Sequence, residues 1–348
     1  MLRHNALETT ALDIADGVLD AIGRTPLIRL RRFLDRSDID LLVKWEAANP
    51  GGSAKDRPAK RIIEQALARG DIDGQTTIIE SSSGNMGIGL AQACRSYGLK
   101  FICVVDPRTQ RQNLRLIEAL GGHIHLVDKP VQGDFLTARI ARVCRLLEEI
   151  PNSYWTNQYA NQDNPQAHHD GTAEEIAEAT DGELDVLLVA TSSTGTIQGC
   201  RNYFRSEGLD VDVIGVDSAG SVLFGGAAGP RHISGLGAGK EPPLANGQRF
   251  GQIIRVTDLD CVIGCRRAAE REAILVGGSG GGVLMAVSQI ADQLRGKRCV
   301  GILHDSGSRY VDTVFNDNWV ERHLGCSSER LRDLVAGRCP TDQERLTV

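Results

Sequence analysis

Short apolar runs alternate along this chain with longer segments whose apolar residues recur every three or four positions. QTTIIES (75–81) predicts a strand, MGIGLAQACRSYG (86–98) a helix closed by Gly98, and KFICVVD (100–106) the next strand. RQNLRLIEALG (111–121) and HIHLVD (123–128) repeat the alternation, which is the pattern of βαβ units on a parallel sheet. A second series opens with a helix at GTAEEIAEAT (171–180) and runs through LDVLLVAT, TIQGCRNYFRSEG, DVIGVDS, CRRAAEREAILVG, GVLMAVSQIADQLRG and CVGILHD (299–305). The pattern breaks at NQYANQDNP (157–165), where polar, Asn- and Pro-rich sequence marks a boundary. The expectation is two open α/β domains with a cleft between them. No chemistry is legible after about residue 320.

Length agrees with that division, because 348 residues exceed what one core usually holds, and 41% hydrophobic content is enough to fill two. Thirty-nine Lys and Arg against 45 Asp and Glu give a net charge of -6 without a basic block, so no nucleic-acid partner is expected. The N-terminus MLRHNALETTALDIADG has no apolar h-region, and the uncharged run AILVGGSGGGVLMAV is interrupted by glycines. Neither an export signal nor a membrane span is expected. The cysteines at 94, 103, 144, 200, 261, 265, 299, 326 and 339 are odd in number and scattered, which suits reduced thiols in a cytoplasm. The pair in CVIGC (261–265) lacks a second pair or a nearby histidine, so no metal site is expected.

Three clusters of small residues each follow an apolar run and precede a helical one: SSSGNMGIG (81–89), TSSTGTIQG (191–199) and GGSGGG (277–282). In parallel α/β sheets that is the C-terminal edge, where ligands bind. Backbone N–H groups at a helix N-terminus can surround an anion only if no side chain blocks the approach, so SSTGT reads as a phosphate cup. No Gly-rich turn completes GxGxxG, and GLGAGKE misses the Walker spacing and its Ser or Thr. What remains is a phosphate-bearing cofactor that is not a nucleotide, together with a lysine, Lys55, on the turn NPGGSAKDRPA. Pyridoxal 5'-phosphate needs both, because it is anchored by its phosphate and held covalently by a lysine.

The ordered blocks GRTPLIRL (23–30), NPGGSAKDRPA (49–59), ESSSGNMGI (80–88), NQYANQDNPQAHHDGTAEEI (157–176), HISGLGAG (232–239) and GGSGGG resemble those of the fold-type II pyridoxal-phosphate enzymes, which include cysteine synthase and cystathionine β-synthase. The resemblance spans residues 20 to 315 and implies the tryptophan synthase β-like fold, two open parallel-sheet α/β domains with the cofactor in the cleft. Residues 1–48 and 165–348 would form the larger, cofactor-anchoring domain. Residues 49–164 would form a smaller, mobile one that carries the lysine and the substrate-carboxylate loop.

By the same resemblance Lys55 is the Schiff-base lysine and the catalytic base, and Asn85 hydrogen-bonds the cofactor's phenolic oxygen. Ser192, Ser193, Thr194, Gly195 and Thr196 hold the phosphate, and the Ser279 hydroxyl meets the pyridine nitrogen. Ser82, Ser83, Gly84, Asn85 and Met86, with Gln158, hold the substrate carboxylate, while Gly235 lines the cleft beside it. A hydroxyl does not keep the pyridine nitrogen protonated, so prompt loss of a β leaving group, and hence β-replacement, is favoured over transamination.

Departures from the cysteine-synthase pattern narrow the reading. Ser82-Ser83-Gly84-Asn85-Met86-Gly87, Gln158-Tyr159 and Ser192-Ser193-Thr194-Gly195-Thr196 stand where those enzymes resemble TSGNTG, Gln-Phe and Gly-Thr-Gly-Gly-Thr. Hydroxyls there suit a polar second substrate, since a buried polar group left without a partner costs about 1–3 kcal/mol. With DLDCVIGCRR and LHDSGSRYVDTVF, these variants resemble the 2,3-diaminopropionate branch of the family, which serves siderophore or peptide-antibiotic biosynthesis. That resemblance implies condensation of O-phospho-L-serine with the amine of L-glutamate to give N-(2-amino-2-carboxyethyl)-L-glutamate, in a cytoplasmic homodimer. Tyr159 and Ser192 are the expected selectivity residues, and Arg231, His232 and Arg108 are candidates for glutamate's second carboxylate. The alternatives are a cysteine synthase using O-phosphoserine or O-acetylserine, then cystathionine formation. A catalytically silent binding protein on the same scaffold is a third possibility, and it should lack the lysine or the phosphate cup.

Overall fold

β1 (Leu27–Arg29), β2 (Asp40–Trp45), β10 (Arg298–Leu303), β7 (Val186–Ala190), β8 (Asp212–Ser218) and β9 (Ile253–Val256) lie side by side in that order as the larger of two sheets. The structure, a computed structural model, describes residues 14–131, 133–248 and 250–338. The N-terminal reading over residues 1–13 and the thiol of Cys339 therefore lie outside the described residues. Every pairing in this sheet is parallel except β1 with β2, which is antiparallel. The smaller sheet is wholly parallel, in the order β5 (His123–Leu126), β4 (Lys100–Val105), β3 (Thr77–Ser81) and β6 (Ser153–Trp155). β3 and β7 are buried at every position, as strands covered by helices on both faces must be.

Helices α1 (Asp56–Arg69), α2 (Asn85–Ser96), α3 (Arg111–Ala119) and α4 (Phe135–Glu149) clothe the smaller sheet. After them come α5 (Asp163–Ala167), α6 (Glu174–Ala179), α7 (Gly195–Ser206), α8 (Asp258–Glu272), α9 (Gly278–Gln289), α10 (Asp317–Leu324) and α11 (Ser328–Ala336). The six-stranded sheet has one core on each face, one built on Val43, Leu188 and Val283 and the other on Leu187, Val189 and Phe204. The four-stranded sheet has its own, one around Ile62, Ile78 and Phe101 and one around Ile79, Val104 and Val143.

Three segments depart from the pattern read in the sequence. β2 has no clean apolar run because Lys44 interrupts it. That lysine is nonetheless 2% exposed and donates to Glu175 and to the Thr25 carbonyl, both at 2.6 Å. The polar stretch after residue 157 is helical from Asp163 onward, and just ahead of α5 the Asn161 side chain accepts from the Asp163 N–H at 2.9 Å. α5 then passes through a π-helical turn (His168–Ala173) into α6. The GGSGGG cluster is not a loop: α9 begins at Gly278, and its glycines are helical.

Candidate active site

One cleft opens at the C-terminal ends of β3, β7 and β10, between the two sheets. Lys55, Ser82, Ser83, Gly84, Asn85, Met86, Gln158, Tyr159, Ser192, Ser193, Thr194, Thr196, Gly235 and Ser279 all line it. Gly195 sits just behind, as the first residue of α7.

Lys55 is the residue immediately before α1. The turn that delivers it needs glycine twice: Gly52 has φ +80°, and a Cβ on Gly51 would lie 2.6 Å from the Asp56 carboxylate. Arg57, two residues on, is locked in a buried ion cluster. Its Nε and Nη2 donate to Glu46 at 2.7 and 2.9 Å, and its Nη1 and Nη2 donate to Glu175 at 2.6 and 2.7 Å. The start of α1 is thus tied to the end of β2 and to α6. Enclosure in the cleft lowers the Lys55 pKa, against the opposing pull of the Asp305 and Glu46 charges.

The cup between β7 and α7 turns on Thr194, whose φ of +67° is left-handed. A Cβ on Gly195 would fall 2.2 Å from Asn164 Oδ1, so only glycine fits there. Thr196 Oγ1 lies 3.2 Å from His168 Nε2, and His168 Nδ1 lies 3.0 Å from Thr172 Oγ1. Thr194 Oγ1 is buried with no hydrogen-bond partner. At the N-terminus of α7 that orphan hydroxyl calls for an acceptor from outside the chain.

The Ser82–Met86 loop turns from β3 into α2. Ser82 Oγ accepts from Gly87 N at 3.0 Å, and the Ser83 carbonyl accepts from Asn113 at 3.1 Å. Gln158 donates to the Ser81 carbonyl at 3.3 Å, and its own N–H is held by the buried Glu80 at 3.1 Å. Asn85 reaches across the cleft: its Nδ2 donates to Asp305 Oδ2 at 2.8 Å, and its Oδ1 accepts from Arg309.

Several lining residues were not found from the sequence. His304, Asp305, Arg309 and Tyr310 follow β10 inside LHDSGSRY, a stretch marked as distinctive without a role for any one residue. Both His304 ring nitrogens are buried without a hydrogen bond, and burial, then the Lys55 charge, lowers the ring pKa to about 3. Arg139 of α4 is 8% exposed. Its Nε is 3.3 Å from Asp106 Oδ2 but out of hydrogen-bond alignment, and its Nε and Nη1 are buried without partners. The signal was present, since Arg139 shares the buried face of α4 with Val143 and Leu146, where an apolar residue would be expected.

The three residues named as candidates for the second carboxylate lie elsewhere than the cleft lining. Arg108 stacks on the Phe135 ring at 4.7 Å, Arg231 donates to the Leu236 carbonyl at 3.3 Å, and His232 packs against Trp319 and His323. None of the three lines the cleft, and Arg139 does.

A phosphate cup with an orphan hydroxyl, a cleft lysine whose pKa burial lowers and an asparagine oriented across the cleft together fit pyridoxal phosphate. The chain matches the family described as pyridoxal-phosphate dependent enzyme over residues 18–305, and it belongs to that family. A relative from Ralstonia nicotianae (strain ATCC BAA-1114 / GMI1000), named N-(2-amino-2-carboxyethyl)-L-glutamate synthase, is 43% identical over 311 residues, covering 89% of this chain and 92% of that protein. Among solved structures, cysteine synthase from Entamoeba histolytica has a TM-score of 0.85 at 28% identity, covering 97% of this chain and all (100%) of that one. The O-acetylserine dependent cystathionine beta-synthase from Helicobacter pylori has a TM-score of 0.80 at 31% identity, covering 87% of this chain and 99% of that one.

Proposed function

We propose that this chain joins O-phospho-L-serine to L-glutamate by pyridoxal-phosphate-dependent β-replacement, releasing phosphate and N-(2-amino-2-carboxyethyl)-L-glutamate. The observation that carries this reading within the family is Arg139. Asp106 balances part of this buried guanidinium's charge, but Nε and Nη1 keep no hydrogen-bond acceptor, which an anionic substrate group would supply and sulfide would not. The phosphate of phosphoserine and the side-chain carboxylate of glutamate are both anions of the kind it would bind. The Ralstonia relative's name and the hydroxyls of Tyr159 and Ser192 on the cleft wall point the same way.

Bound pyridoxal phosphate supplies the electron sink that lets a Cα proton and a β-substituent leave. The chain supplies the rest. Ser192 to Thr196 would hold the phosphate at the start of α7, and Ser279 would hydrogen-bond the ring nitrogen. Lys55 would hold the cofactor covalently and would serve as the base at the substrate Cα, a task that suits an amine whose pKa burial lowers. The Ser82–Met86 loop and Gln158 orient the amino-acid carboxylate, and Gly235 leaves room beside it. Movement of the smaller domain, residues 49–164, would exclude water from the reacting centre. With this reading go a homodimer, a cytoplasmic site of action and a product that serves as precursor of 2,3-diaminopropionate for siderophores.

Purified holoenzyme given O-phospho-L-serine should release phosphate and form the condensed diamino acid with L-glutamate, detected by mass. Lys55→Ala should lower turnover by about 10²–10⁴-fold. Arg139→Gln should raise KM for one of the two substrates by about 10- to 100-fold, the loss of one charged hydrogen bond. Product with sulfide and none with glutamate would replace this reading with a cysteine synthase.

A further inference from the structure

The stretch HDSGSRY after β10 carries a buried carboxylate that none of the roles above uses. Asp305 is 2% exposed and pinned on both sides: its carbonyl accepts from Gly277 N at 3.0 Å, and it bridges Ser53, two residues before Lys55. It therefore sits between the lysine turn and the start of α9, which carries Ser279.

Its side chain faces the other half of the molecule. Oδ2 accepts from Asn85 Nδ2 and from the Tyr310 hydroxyl, each at 2.8 Å. Arg309 donates through Nη1 to Asn85 Oδ1 and through Nη2 to the Gly51 carbonyl. These partners admit one orientation of the Asn85 amide. A flip would set the amide NH₂ against the guanidinium and its oxygen against the carboxylate, with neither bond made. In the orientation held, one Nδ2 hydrogen goes to Asp305, and the other remains for an acceptor in the cleft.

Asp305 lines the cleft with Lys55, which lies two residues from the Asp305 bridge partner Ser53. Burial lowers the lysine's pKa while the charges of Asp305 and Glu46 raise it, and burial, then the Lys55 charge, lowers those of His304 and His168. Glu46 has little to offer the lysine, because its two oxygens already accept from Thr25, Asn49 and Arg57. His304 and His168 are held neutral by burial and by the Lys55 charge. Asp305 keeps Oδ1 unpartnered. Burial pushes its own carboxyl up, while the donors from Asn85 and Tyr310 and the charges of Arg309 and Lys55 pull it back toward ionisation.

We propose that Asp305 is a positioning residue with two tasks: it fixes the Asn85 amide so that one N–H is presented to the cofactor, and it is the counter-charge for the Lys55 ammonium. This rests on Lys55 and Asn85 being cofactor contacts. Asp305→Asn separates the tasks, because its carbonyl can still accept from Asn85 while the charge is gone. In the cofactor-free protein, the pH dependence of Lys55 acetylation, read by mass spectrometry, should give a midpoint about one unit lower in Asp305→Asn, with pyridoxal-phosphate affinity within about threefold of the parent. Asp305→Ala should lower the midpoint and also weaken pyridoxal phosphate about tenfold. In the double variant with Asn85→Ala the affinity losses should not add, since both remove the same contact. An unchanged or raised Lys55 midpoint in Asp305→Asn, or additive affinity losses, would overturn the proposal. Asp305→Asn is isosteric, so its outcome decides the charge role even if Asp305→Ala does not fold. Borohydride fixation of the cofactor separates this inference from the site reading. Attachment at another lysine overturns both, whereas attachment at Lys55 with an unmoved midpoint overturns the role of Asp305 alone.

Discussion

Next to Lys55, Asp56 has its carboxyl pushed up from 3.8 to about 7, chiefly by burial, against the Gly51 N–H and the Arg309 charge. The folded protein thus holds this proton more tightly than the unfolded chain does. The stability it contributes is full below about pH 4 and is lost as pH rises through about 7. Urea unfolding of the parent and of Asp56→Asn at pH 5 and pH 8 should show the parent losing about 1–3 kcal/mol relative to the variant between those values. A gap independent of pH would mean that Asp56 is ionised throughout. The same residue scale shows what the sequence could reveal of the site. Lys55, the Ser82–Met86 loop and Ser192 to Thr196 stood out because small residues and a lysine at strand ends are unusual company. Arg139 and Asp305 did not, because their neighbours in the cleft come from distant strands and helices: Asn85 is separated from Asp305 by the whole second series.

At the scale of elements, α8 and α9 approach each other backbone to backbone. A Cβ on Gly264 would lie 2.1 Å from the Gly281 carbonyl, and one on Gly281 would lie 2.1 Å from the Cys261 carbonyl. The glycines of GGSGGG were read as a ligand-binding cluster, yet beyond Ser279 they serve helix contact, which no local pattern distinguishes from an anion cup. α8 itself is clearly bounded, by the Thr257–Asp260 capping box and by Ala273 in the left-handed region. Gly264→Ala must push α8 and α9 apart backbone against backbone, so a loss of about 1–3 kcal/mol or more is expected in chemical unfolding. Because α9 carries Ser279, pyridoxal-phosphate affinity should fall with it. Gly74→Ala, where a Cβ meets nothing within 4 Å, is the control and should stay within about 0.5 kcal/mol. Equal effects at the two positions would show that α8 can shift freely. β1 and β6 were missed for a related reason: at three residues each, they are too short to show a period.

For the whole molecule, the arrangement of cores decides how it can move. The four-stranded sheet packs its own cores, around Ile62 and Phe101 and around Val104 and Val143, while the six-stranded sheet packs two others, so rotating one half against the other opens no apolar interior. Much of what crosses between them is polar: Asn85 to Asp305 and Arg309, and Arg57 to Glu46 and Glu175. The second group is buried and multiply bonded, so it would act as the pivot near the start of α1 if the halves rotate. The first lies at the mouth of the cleft, where a substrate carboxylate on the Ser82–Met86 loop would draw α2 inward. Binding of O-phospho-L-serine to the holoenzyme should therefore slow amide exchange at residues 82–87 and shrink the radius of gyration measured by X-ray scattering, with little change in exchange within β7, β8 and β10. Arg57→Lys, which cannot hold Glu46 and Glu175 in the same forked geometry, should loosen the pivot and reduce the contraction while the fold persists. Protection confined to the loop, with an unchanged radius, would show that the halves stay fixed and that the loop alone closes over the substrate.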